Sequence, residues 1–334
     1  MKPKILITSR SYGKYYPEHI KKLKNIGEVE FAKKPPLKEE DLLRIIDEFD
    51  AIIAGMDEIT ANVIKKGKNL KIIARHGVGV DNVDVKAATE HGIIVSYTPG
   101  ANTNAVAEHT FALILALVKN IPNLNELGKR GIWAGRRQLN IELQGKVLGI
   151  IGLGRIGRTV AKMAKAFNME VIAYSPHVRK EDANKLGVKL VPLEELLSKS
   201  DIISIHTSLT PEKVHMISHE QFKLMKKTAY IVNTARGELI DETALIDALK
   251  NGRIAGAALD VLEIEPPSPN NELFKMTNVI ITPHCAAYTL EAIKRMGDMV
   301  TESVVAALRG ERPPYVVNPE VFERENLRIK QIKS

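Results

Sequence analysis

The fold is decided by the stretch Lys146–Gly157, which reads KVLGIIGLGRIG. Its first half is apolar and rich in β-branched residues, as in a buried strand of a parallel sheet. Its second half, Gly152-Leu153-Gly154-Arg155-Ile156-Gly157, is a glycine pattern that runs into the helical pattern Arg158–Phe167. A strand, a glycine-rich turn and a helix in this order predict a loop that binds the pyrophosphate of a dinucleotide.

The three glycines of this loop have separate tasks. We expect Gly152 to make the tight turn and Gly154 to let the backbone approach the pyrophosphate. We expect Gly157 to let the helix pack closely on the strand. The amides at the helix N-terminus would then donate to the phosphate oxygens.

The residue after the next strand bears on which dinucleotide is bound. The strand Val171–Tyr174 is followed by Ser175, where an NAD-preferring site usually has a carboxylate for the ribose 2′-hydroxyl. The basic residues His177, Arg179 and Lys180 come shortly afterwards. A hydroxyl near basic side chains tolerates a 2′-phosphate, so both NAD(H) and NADP(H) are candidates. The alternative is that Arg179 and Lys180 simply begin a solvated helix.

Short β-rich runs alternate with helical patterns along most of the chain. Before the glycine loop the predicted strands are Ile5–Thr8, Val29–Ala32, Ala51–Ala54, Lys71–Ala74 and Ile93–Ser96. After it they are Val171–Tyr174, Ile202–His206, Tyr230–Asn233, Ala255–Asp260 and Val279–Thr282. This alternation predicts an α/β protein built from doubly wound parallel sheets.

The same pattern suggests two domains, one of them discontinuous. The last helical pattern has no strand after it in the second series, so both ends of the chain fit one domain, 1–100 with 288–318. The other domain is 101–287, and 319–334 is expected to be a tail. Within the second domain a long apolar helix, about Asn104–Lys119, is followed by Ile121–Gly145, which is rich in Gly, Asn and Arg. A segment of that length without periodicity is typical of a functional loop or of an arm that reaches a partner.

Composition narrows the class of protein. The 334 residues are 44% hydrophobic and 26% charged, as in an ordinary globular protein. The net charge of +8 comes from Lys and Arg scattered among acids, without a basic stretch that interleaves aromatics, so nucleic acid is not an expected partner. No apolar run approaches the ~20 residues of a membrane span, and no metal site is expected. The single cysteine, Cys285, suits a reducing cytoplasm.

Three side chains of different chemistry follow three predicted strands in the last third of the chain. They are Arg236, Glu265 and His284. A cation, a carboxylate and an imidazole are the groups needed to bind an anionic carbonyl compound, polarise it and move a proton. Taken singly, each could be a surface cation, a loop acid or a strand-end histidine. Together with the glycine loop they indicate a dehydrogenase.

These motifs resemble the family of D-isomer-specific 2-hydroxyacid dehydrogenases, and the likeness covers nearly the whole chain. Further motifs resemble its 3-phosphoglycerate dehydrogenase branch: Arg75–Asp84, Pro99–Thr103, Asn233–Gly237 and Ala257–Val261. The resemblance implies a flavodoxin-like substrate domain and a Rossmann dinucleotide-binding domain with a cleft between them. It also implies a homodimer in which an arm at about 104–144 embraces the partner.

The resemblance assigns a role to each site residue. Arg236 would pair with the substrate carboxylate and polarise the 2-keto oxygen, His284 would protonate that oxygen, and Glu265 would hold the imidazole. The backbone amides of Val78 and Gly79 would hold the substrate carboxylate. The implied coenzyme contacts are Gly152, Gly154, Arg155, Ile156, Gly157 and Ser175 at the pyrophosphate and ribose, Thr207 near the adenosine, Ala235 and Asp260 at the nicotinamide carboxamide, and Thr234.

The expected activity is reduction of a small 2-keto acid such as glyoxylate, hydroxypyruvate or pyruvate with NAD(P)H. A second hypothesis is 3-phosphoglycerate dehydrogenase, but that branch typically has an Arg-Ser pair after the third strand, where this chain reads Ile53-Ala54-Gly55-Met56-Asp57-Glu58. The missing cation and the two acids disfavour a phosphorylated substrate. A third hypothesis is an NAD(H)-sensing binding protein resembling the C-terminal binding protein corepressors.

Overall fold

The computed structural model describes residues 2–137 and 139–329. In chain order the first elements are β1 (Lys4–Ile7), α1 (Glu18–Lys24), β2 (Glu28–Phe31), α2 (Glu39–Ile45), β3 (Ala51–Ala54), α3 (Ala61–Lys66), β4 (Ile72–Arg75), α4 (Val85–Glu90) and β5 (Ile94–Ser96). Next come α5 (Thr103–Val118), α6 (Ile121–Lys129), β6 (Val147–Ile151), α7 (Arg155–Ala166), β7 (Glu170–Tyr174), α8 (Lys180–Lys185), β8 (Lys189–Leu190) and α9 (Leu193–Lys199). The last are β9 (Ile202–Ile205), α10 (His219–Leu224), β10 (Tyr230–Asn233), α11 (Glu242–Lys250), β11 (Gly256–Leu259), β12 (Val279–Ile281) and α12 (Leu290–Leu308).

These elements form two compact units. The first unit comprises the described residues of 1–102 and 288–334, and the second comprises 103–287. Each unit has one sheet, and all the strand pairs in both sheets are parallel. The predicted fold class, two parallel-sheet α/β domains, is therefore confirmed.

The sheet of the first unit has the strand order β2-β1-β3-β4-β5, which is the flavodoxin-like order. All four residues of β3 and of β4 are buried, because helices cover both faces. One face packs under α2, α3 and α4, and the other under α1 and α12. This explains why these strands are continuous apolar runs in the sequence.

The sheet of the second unit has the order β12-β11-β10-β9-β6-β7-β8. This is the Rossmann order with one further strand, β12, at one edge. Helices α9, α10 and α11 cover one face, and α5, α7 and α8 cover the other. Strand β8 was not predicted from the sequence, since it has only two residues and lies partly exposed at the other edge.

The segment that we expected to be a tail packs against the first unit in its described part, 319–329. Val321 is fully buried, and Ile329 is nearly so. The side chain of Asn318 anchors the segment, because it accepts a hydrogen bond from Val95 N at 2.8 Å and donates to Ile93 O at 3.0 Å. The few apolar residues of this segment have no regular period, which is why their burial could not be read from the sequence.

Helices α5 and α6 differ sharply in burial. Helix α5 is mostly buried, whereas α6 has no buried residue. The segment after α5 exposes large apolar side chains: Ile121 is 53% exposed, Trp133 76% and Leu139 96%. No single helix in the described residues is long and apolar enough to cross a membrane, and only α5 joined to α6 across a 61° bend meets the criteria of length and composition.

One histidine of the first unit is buried without a charged partner. His76 follows β4 and shares a 2.8 Å hydrogen bond between its Nδ1 and Ser9 Oγ. Burial, followed by the positive charge of Arg75, lowers the pKa of His76 to about 3 from its ordinary value of 6.5. The native protein therefore keeps His76 neutral at pH values where the unfolded chain protonates it.

We expect this histidine to make the first unit sensitive to acid. Because the unfolded state binds the additional proton, stability is fully present above pH ~6.5 and falls by about 1.4 kcal/mol per pH unit below that value, until the folded pKa is reached. Urea unfolding between pH 7 and pH 4 should show this slope. The variant His76→Asn should be less stable at pH 7 but should lose stability less steeply on acidification, and an equal slope in both proteins would contradict the assignment.

Candidate active site

The glycine loop after β6 is packed tightly on its neighbour β9. Gly152 has a φ of +96°, and a Cβ atom on it would lie only 2.7 Å from the backbone of His206 and Thr207, which follow β9. A Cβ atom on Gly157 would collide with the carbonyl oxygen of Gly152. Glycine is required at both positions, as the spacing of the pattern predicted.

Gly154 faces open space instead. A Cβ atom there would meet nothing within 4 Å in the described structure. Gly154 is also the N-cap of α7, and no side chain of the described residues caps this helix. The first amides of α7, which include those of Arg155 and Ile156, therefore point from a twelve-residue helix into an open cradle. A pyrophosphate group fits this arrangement.

Ser175 lies beside this loop. Its Oγ accepts a hydrogen bond from Leu153 N at 3.2 Å, so the hydroxyl is tied to the turn. Arg179 forms a two-pronged pair with Asp182, with distances of 3.0 and 3.2 Å. Because its charge is already matched, Arg179 is a weaker candidate for a 2′-phosphate ligand than the sequence indicated. His177 and Lys180 are exposed.

A cation that sequence reasoning missed lies at the end of β9. Lys213 Nζ donates to Thr207 Oγ1 at 2.8 Å and lies 3.3 Å from Ser208 O. Thr207 was predicted to line the adenosine side of the coenzyme. The ammonium group of Lys213 thus lies against a predicted coenzyme contact, although nothing in the local sequence pattern distinguishes it from other surface lysines.

The three candidate catalytic residues follow three adjacent strands. Strands β10, β11 and β12 are neighbours, with Asn233 in register with Leu259 and Leu259 in register with Ile281. Their carboxyl ends therefore lie along one edge of the sheet. Arg236, Glu265 and His284 each come shortly after one of these ends.

The turn that carries Arg236 is fixed by a buried amide. Asn233, which is fully buried, donates from Nδ2 to Arg236 O at 2.7 Å and accepts from Ala235 N at 3.0 Å. Gly237 lies directly against the backbone of Leu262, where a Cβ atom would collide. The turn after β10 is thereby held to the loop after β11, which leads to Glu265.

Glu265 and His284 are in contact. Glu265 Oε2 lies 2.7 Å from His284 Nδ1, and Glu265 Oε1 accepts from Leu262 N at 3.1 Å. About a third of each side chain is exposed. Within the described residues no hydrogen bond reaches the other ring nitrogen, Nε2, which is therefore available to an external oxygen. This is the geometry in which a carboxylate orients an imidazole for proton transfer.

The backbone of His284 is strained. Its φ of +50° lies in the left-handed region, which costs a non-glycine residue about 1–3 kcal/mol. The conformation is stabilised by hydrogen bonds from His284 N to Asp260 O at 2.8 Å and to Thr282 O at 3.0 Å. Strained residues of this kind cluster at functional sites.

Asp260 organises the loop that carries His284. Its carboxylate accepts from Thr282 Oγ1 at 2.6 Å and from the amides of Cys285 and Ala286, both at 2.9 Å. Burial alone would raise the pKa of Asp260, but these hydrogen bonds and the nearby imidazole of His109 outweigh it, so the pKa lies below its ordinary value. The side chain is 1% exposed, and its contacts are with this chain. Its expected contact with the nicotinamide stays a prediction.

Cys285 shares this environment. Burial, followed by the nearby charge of Asp260, raises the pKa of the Cys285 thiol. A thiol that is harder to ionise is a poor nucleophile. We therefore interpret Cys285 as a small packing residue and not as a nucleophile.

The predicted substrate loop lies in the first unit. Val78 and Gly79 follow β4 and are half-buried. Thr98 N donates to Gly77 O at 3.0 Å, and the side chain of Asn82 donates to Asp57 O at 2.7 Å, so the loop is tied to its neighbours on both sides.

Residues 111–286 match the family described as "D-isomer specific 2-hydroxyacid dehydrogenase, NAD binding domain". The chain belongs to this family.

A D-3-phosphoglycerate dehydrogenase of Methanocaldococcus jannaschii is 48% identical over 97% of the chain, which spans 61% of that relative's length. A glyoxylate reductase of Korarchaeum cryptofilum is 42% identical, with 97% of this chain and 98% of that one covered. The solved structure of a D-lactate dehydrogenase from Aquifex aeolicus, complexed with NAD and lactic acid, is 31% identical with a TM-score of 0.84, and the match covers 94% of this chain and 98% of that one. The predicted family is thus confirmed.

One structural detail bears on which branch of the 2-hydroxyacid dehydrogenases the site resembles. We expected the acids Asp57 and Glu58 to disfavour a phosphorylated substrate. Asp57 is fully buried, and it accepts hydrogen bonds from Leu37 N at 2.7 Å and Gly55 N at 2.8 Å as well as from the Thr8 hydroxyl. It is a structural carboxylate that ties together the loops after β1, β2 and β3. Of the two acids only Glu58 is exposed.

Proposed function

We propose that this protein is an NAD(P)-dependent oxidoreductase that interconverts a small 2-keto acid and its D-2-hydroxy acid. The observation that carries the proposal is the 2.7 Å contact of Glu265 with His284, at the same sheet edge as Arg236. The glyoxylate reductase and D-lactate dehydrogenase among the relatives support this substrate class. The open cradle at Gly154 supports a dinucleotide as the redox partner.

In the proposed reduction, Arg236 binds the substrate carboxylate and polarises the 2-keto oxygen through its planar fork of donors. The amides of Val78 and Gly79 hold the same carboxylate. His284 donates a proton from Nε2 to the developing alkoxide, while Glu265 holds Nδ1 and stabilises the imidazolium. The bound nicotinamide supplies the hydride. In the oxidation, His284 takes the proton back.

The proposed coenzyme site lies at the carboxyl ends of β6 and β9, where the strand order of the second sheet reverses. The amides of Arg155 and Ile156 would hold the pyrophosphate, with Gly152, Gly154 and Gly157 shaping the loop. The remaining contacts in this proposal are Ser175 at the ribose, Thr207 at the adenosine, and Thr234, Ala235 and Asp260 at the nicotinamide end.

Among substrates we favour glyoxylate or hydroxypyruvate over a phosphorylated acid. The loop after β3 exposes Met56 by 45%, and residues 53–58 include no Lys or Arg that could bind a phosphate. The alternative, D-3-phosphoglycerate dehydrogenase, is favoured by the identity with the relative of that name.

The test is a panel of 2-keto acids with NADH and NADPH, followed by absorbance at 340 nm. We expect kcat/KM to be higher for glyoxylate or hydroxypyruvate than for 3-phosphohydroxypyruvate. The reverse order would favour the serine-pathway enzyme. Tight NADH binding without turnover of any keto acid would favour a coenzyme-sensing binding protein.

The coenzyme preference gives a separate prediction. Ser175 is close enough to the glycine loop to replace the usual carboxylate, and it would not repel a 2′-phosphate, so we expect NADPH to be accepted. Ser175→Asp should lower kcat/KM for NADPH by ~10-fold or more through like-charge repulsion, and should leave NADH use equal or better. Ser175→Ala is the matched control, since it removes the hydroxyl without adding charge. A wild-type preference for NADH of ~100-fold would reject a site that tolerates the 2′-phosphate.

We further propose a homodimer in a reducing cytoplasm. The exposed apolar side chains Ile121, Trp133 and Leu139 lie on the segment that resembles the family's dimerisation arm. Three large apolar side chains left exposed on one segment support its burial against a partner. The cytoplasm is inferred from the single cysteine, which the fold keeps partly buried.

A further inference from the structure

A histidine that neither the sequence motifs nor the proposed mechanism uses lies next to the loop of His284. His109 is on α5, and its side chain is 23% exposed. Its Nε2 lies 3.0 Å from Thr282 Oγ1 and 3.5 Å from Asp260 Oδ1. Both of these partners hold the backbone of His284.

The hydrogen-bond pattern fixes the direction of the contact with His109. Thr282 has one hydroxyl hydrogen, and it donates this hydrogen to Asp260 Oδ1 at 2.6 Å. The carboxylate of Asp260 is ionised and can only accept. Thr282 Oγ1 therefore has only an acceptor role left toward His109. It follows that His109 Nε2 carries a hydrogen and is the donor.

His109 is the first member of a series of hydrogen bonds that ends at His284. His109 donates to Thr282 Oγ1, Thr282 donates to Asp260, and Asp260 accepts from the amides of Cys285 and Ala286. The carbonyl oxygens of Asp260 and Thr282 both accept from His284 N. These contacts oppose the relaxation of His284 from its left-handed conformation.

We infer that His109 is a positioning residue, which keeps His284 aligned for proton transfer through Thr282 and Asp260. The inference rests on the acid–base role proposed for His284. His109 reaches the reacting groups only through two other side chains. Its loss should therefore slow proton transfer more than it weakens the binding of substrate or coenzyme.

A metal site is the other interpretation of this cluster. The ligating atoms of His109, Asp260 and Cys285 all lie within 4.8 Å of one another. However, the Thr282 hydroxyl contacts both His109 Nε2, at 3.0 Å, and Asp260 Oδ1, at 2.6 Å, so a hydrogen-bonded group already joins these two side chains. The geometry is that of a hydrogen-bond chain.

The test compares two replacements of His109. His109→Leu removes the donor, and we expect kcat for reduction to fall by ~10–100-fold, as when a partly buried acceptor is left without its hydrogen bond. The KM for the keto acid and the Kd for NADH should stay within about threefold, and the solvent deuterium isotope effect on kcat should rise. His109→Gln places an amide donor near the position of Nε2 and should restore most of the rate. His219→Leu, an exposed histidine of the same unit, is the matched control.

A double-mutant cycle separates positioning from general loss of structure. Thr282→Val removes the hydroxyl that relays the contact, so the double variant His109→Leu/Thr282→Val should be little slower than the slower single variant. Additive losses would overturn the inference. So would a rate for His109→Leu within threefold of the wild type, or a loss that His109→Gln does not restore. If His284 were not the acid–base residue, His284 variants would keep their activity. The His109 variants would then show no change in the solvent deuterium isotope effect.

Discussion

Replacing His284 by alanine is expected to lower kcat for keto-acid reduction by about 10²–10⁴-fold, the usual contribution of a general acid. The imidazole is the group whose free Nε2 faces outward from the contact with Glu265. Alanine removes this proton donor. Coenzyme binding should be almost unchanged, because the glycine loop follows β6 and His284 follows β12.

Steady-state rates and the fluorescence of bound NADH measure the two effects separately. His219→Ala, an exposed histidine in the same unit, serves as the control and should keep the wild-type rate. Near-normal turnover of the best 2-keto acid by His284→Ala would remove this residue from the mechanism. A loss of NADH binding comparable to the loss of rate would instead point to a structural role.

Replacing Arg236 by lysine is expected to lower kcat/KM by ~10²-fold or more, even though the charge is kept. One arm of the guanidinium, Nη1, already donates to Ala235 O at 2.7 Å and fixes the side chain on its own turn. The planar group is proposed to pair with the substrate carboxylate and the 2-keto oxygen. An ammonium group is a point charge and cannot make the anchoring contact and the bidentate contact together.

The measurement is kcat/KM for the keto acid at saturating coenzyme. Arg253→Lys is a suitable control, since Arg253 also donates to a backbone carbonyl of the second unit, that of Lys223. We expect the control to retain its activity. A variant Arg236→Lys with more than a third of the wild-type kcat/KM would show that a single positive charge suffices.

Every strand of the described structure except β8 was predicted from the sequence. Strands such as β3, β4 and β9 are buried on both faces, so their sequences are largely continuous apolar runs. Such runs are easily distinguished from solvent-exposed segments. Strand β8 was missed because two residues at a sheet edge carry no pattern. The burial of the segment 319–329 could not be predicted because its contacts are with residues more than 200 positions away, such as those of Asn326 with Glu90 O and of Arg328 with Leu70 O.

The candidate site was also predicted only in part. The glycine loop could be predicted because each glycine is needed for the local backbone conformation. At two of the three positions there is no room for a side chain. Glu265 and His284 could be proposed because each follows a strand end. His109 and Asp57 could not be interpreted correctly from the sequence, since one lies on an apolar helix and the other resembles an exposed loop acid. Their partners come from distant parts of the chain.

The interruption of the first unit by the second has a consequence for the order in which the chain becomes stable during synthesis. One face of the first sheet is covered by Val300, Val304 and Ala307 of α12, which leave the ribosome after the whole of the second unit. The second unit is continuous, so all its strands and covering helices are available before α12 is made. Until then only α1 covers this face of the nascent first sheet, so apolar residues such as Ile5, Ile53 and Ile72 stay partly uncovered while nearly two hundred further residues are translated. During that interval the incomplete first unit is exposed to aggregation.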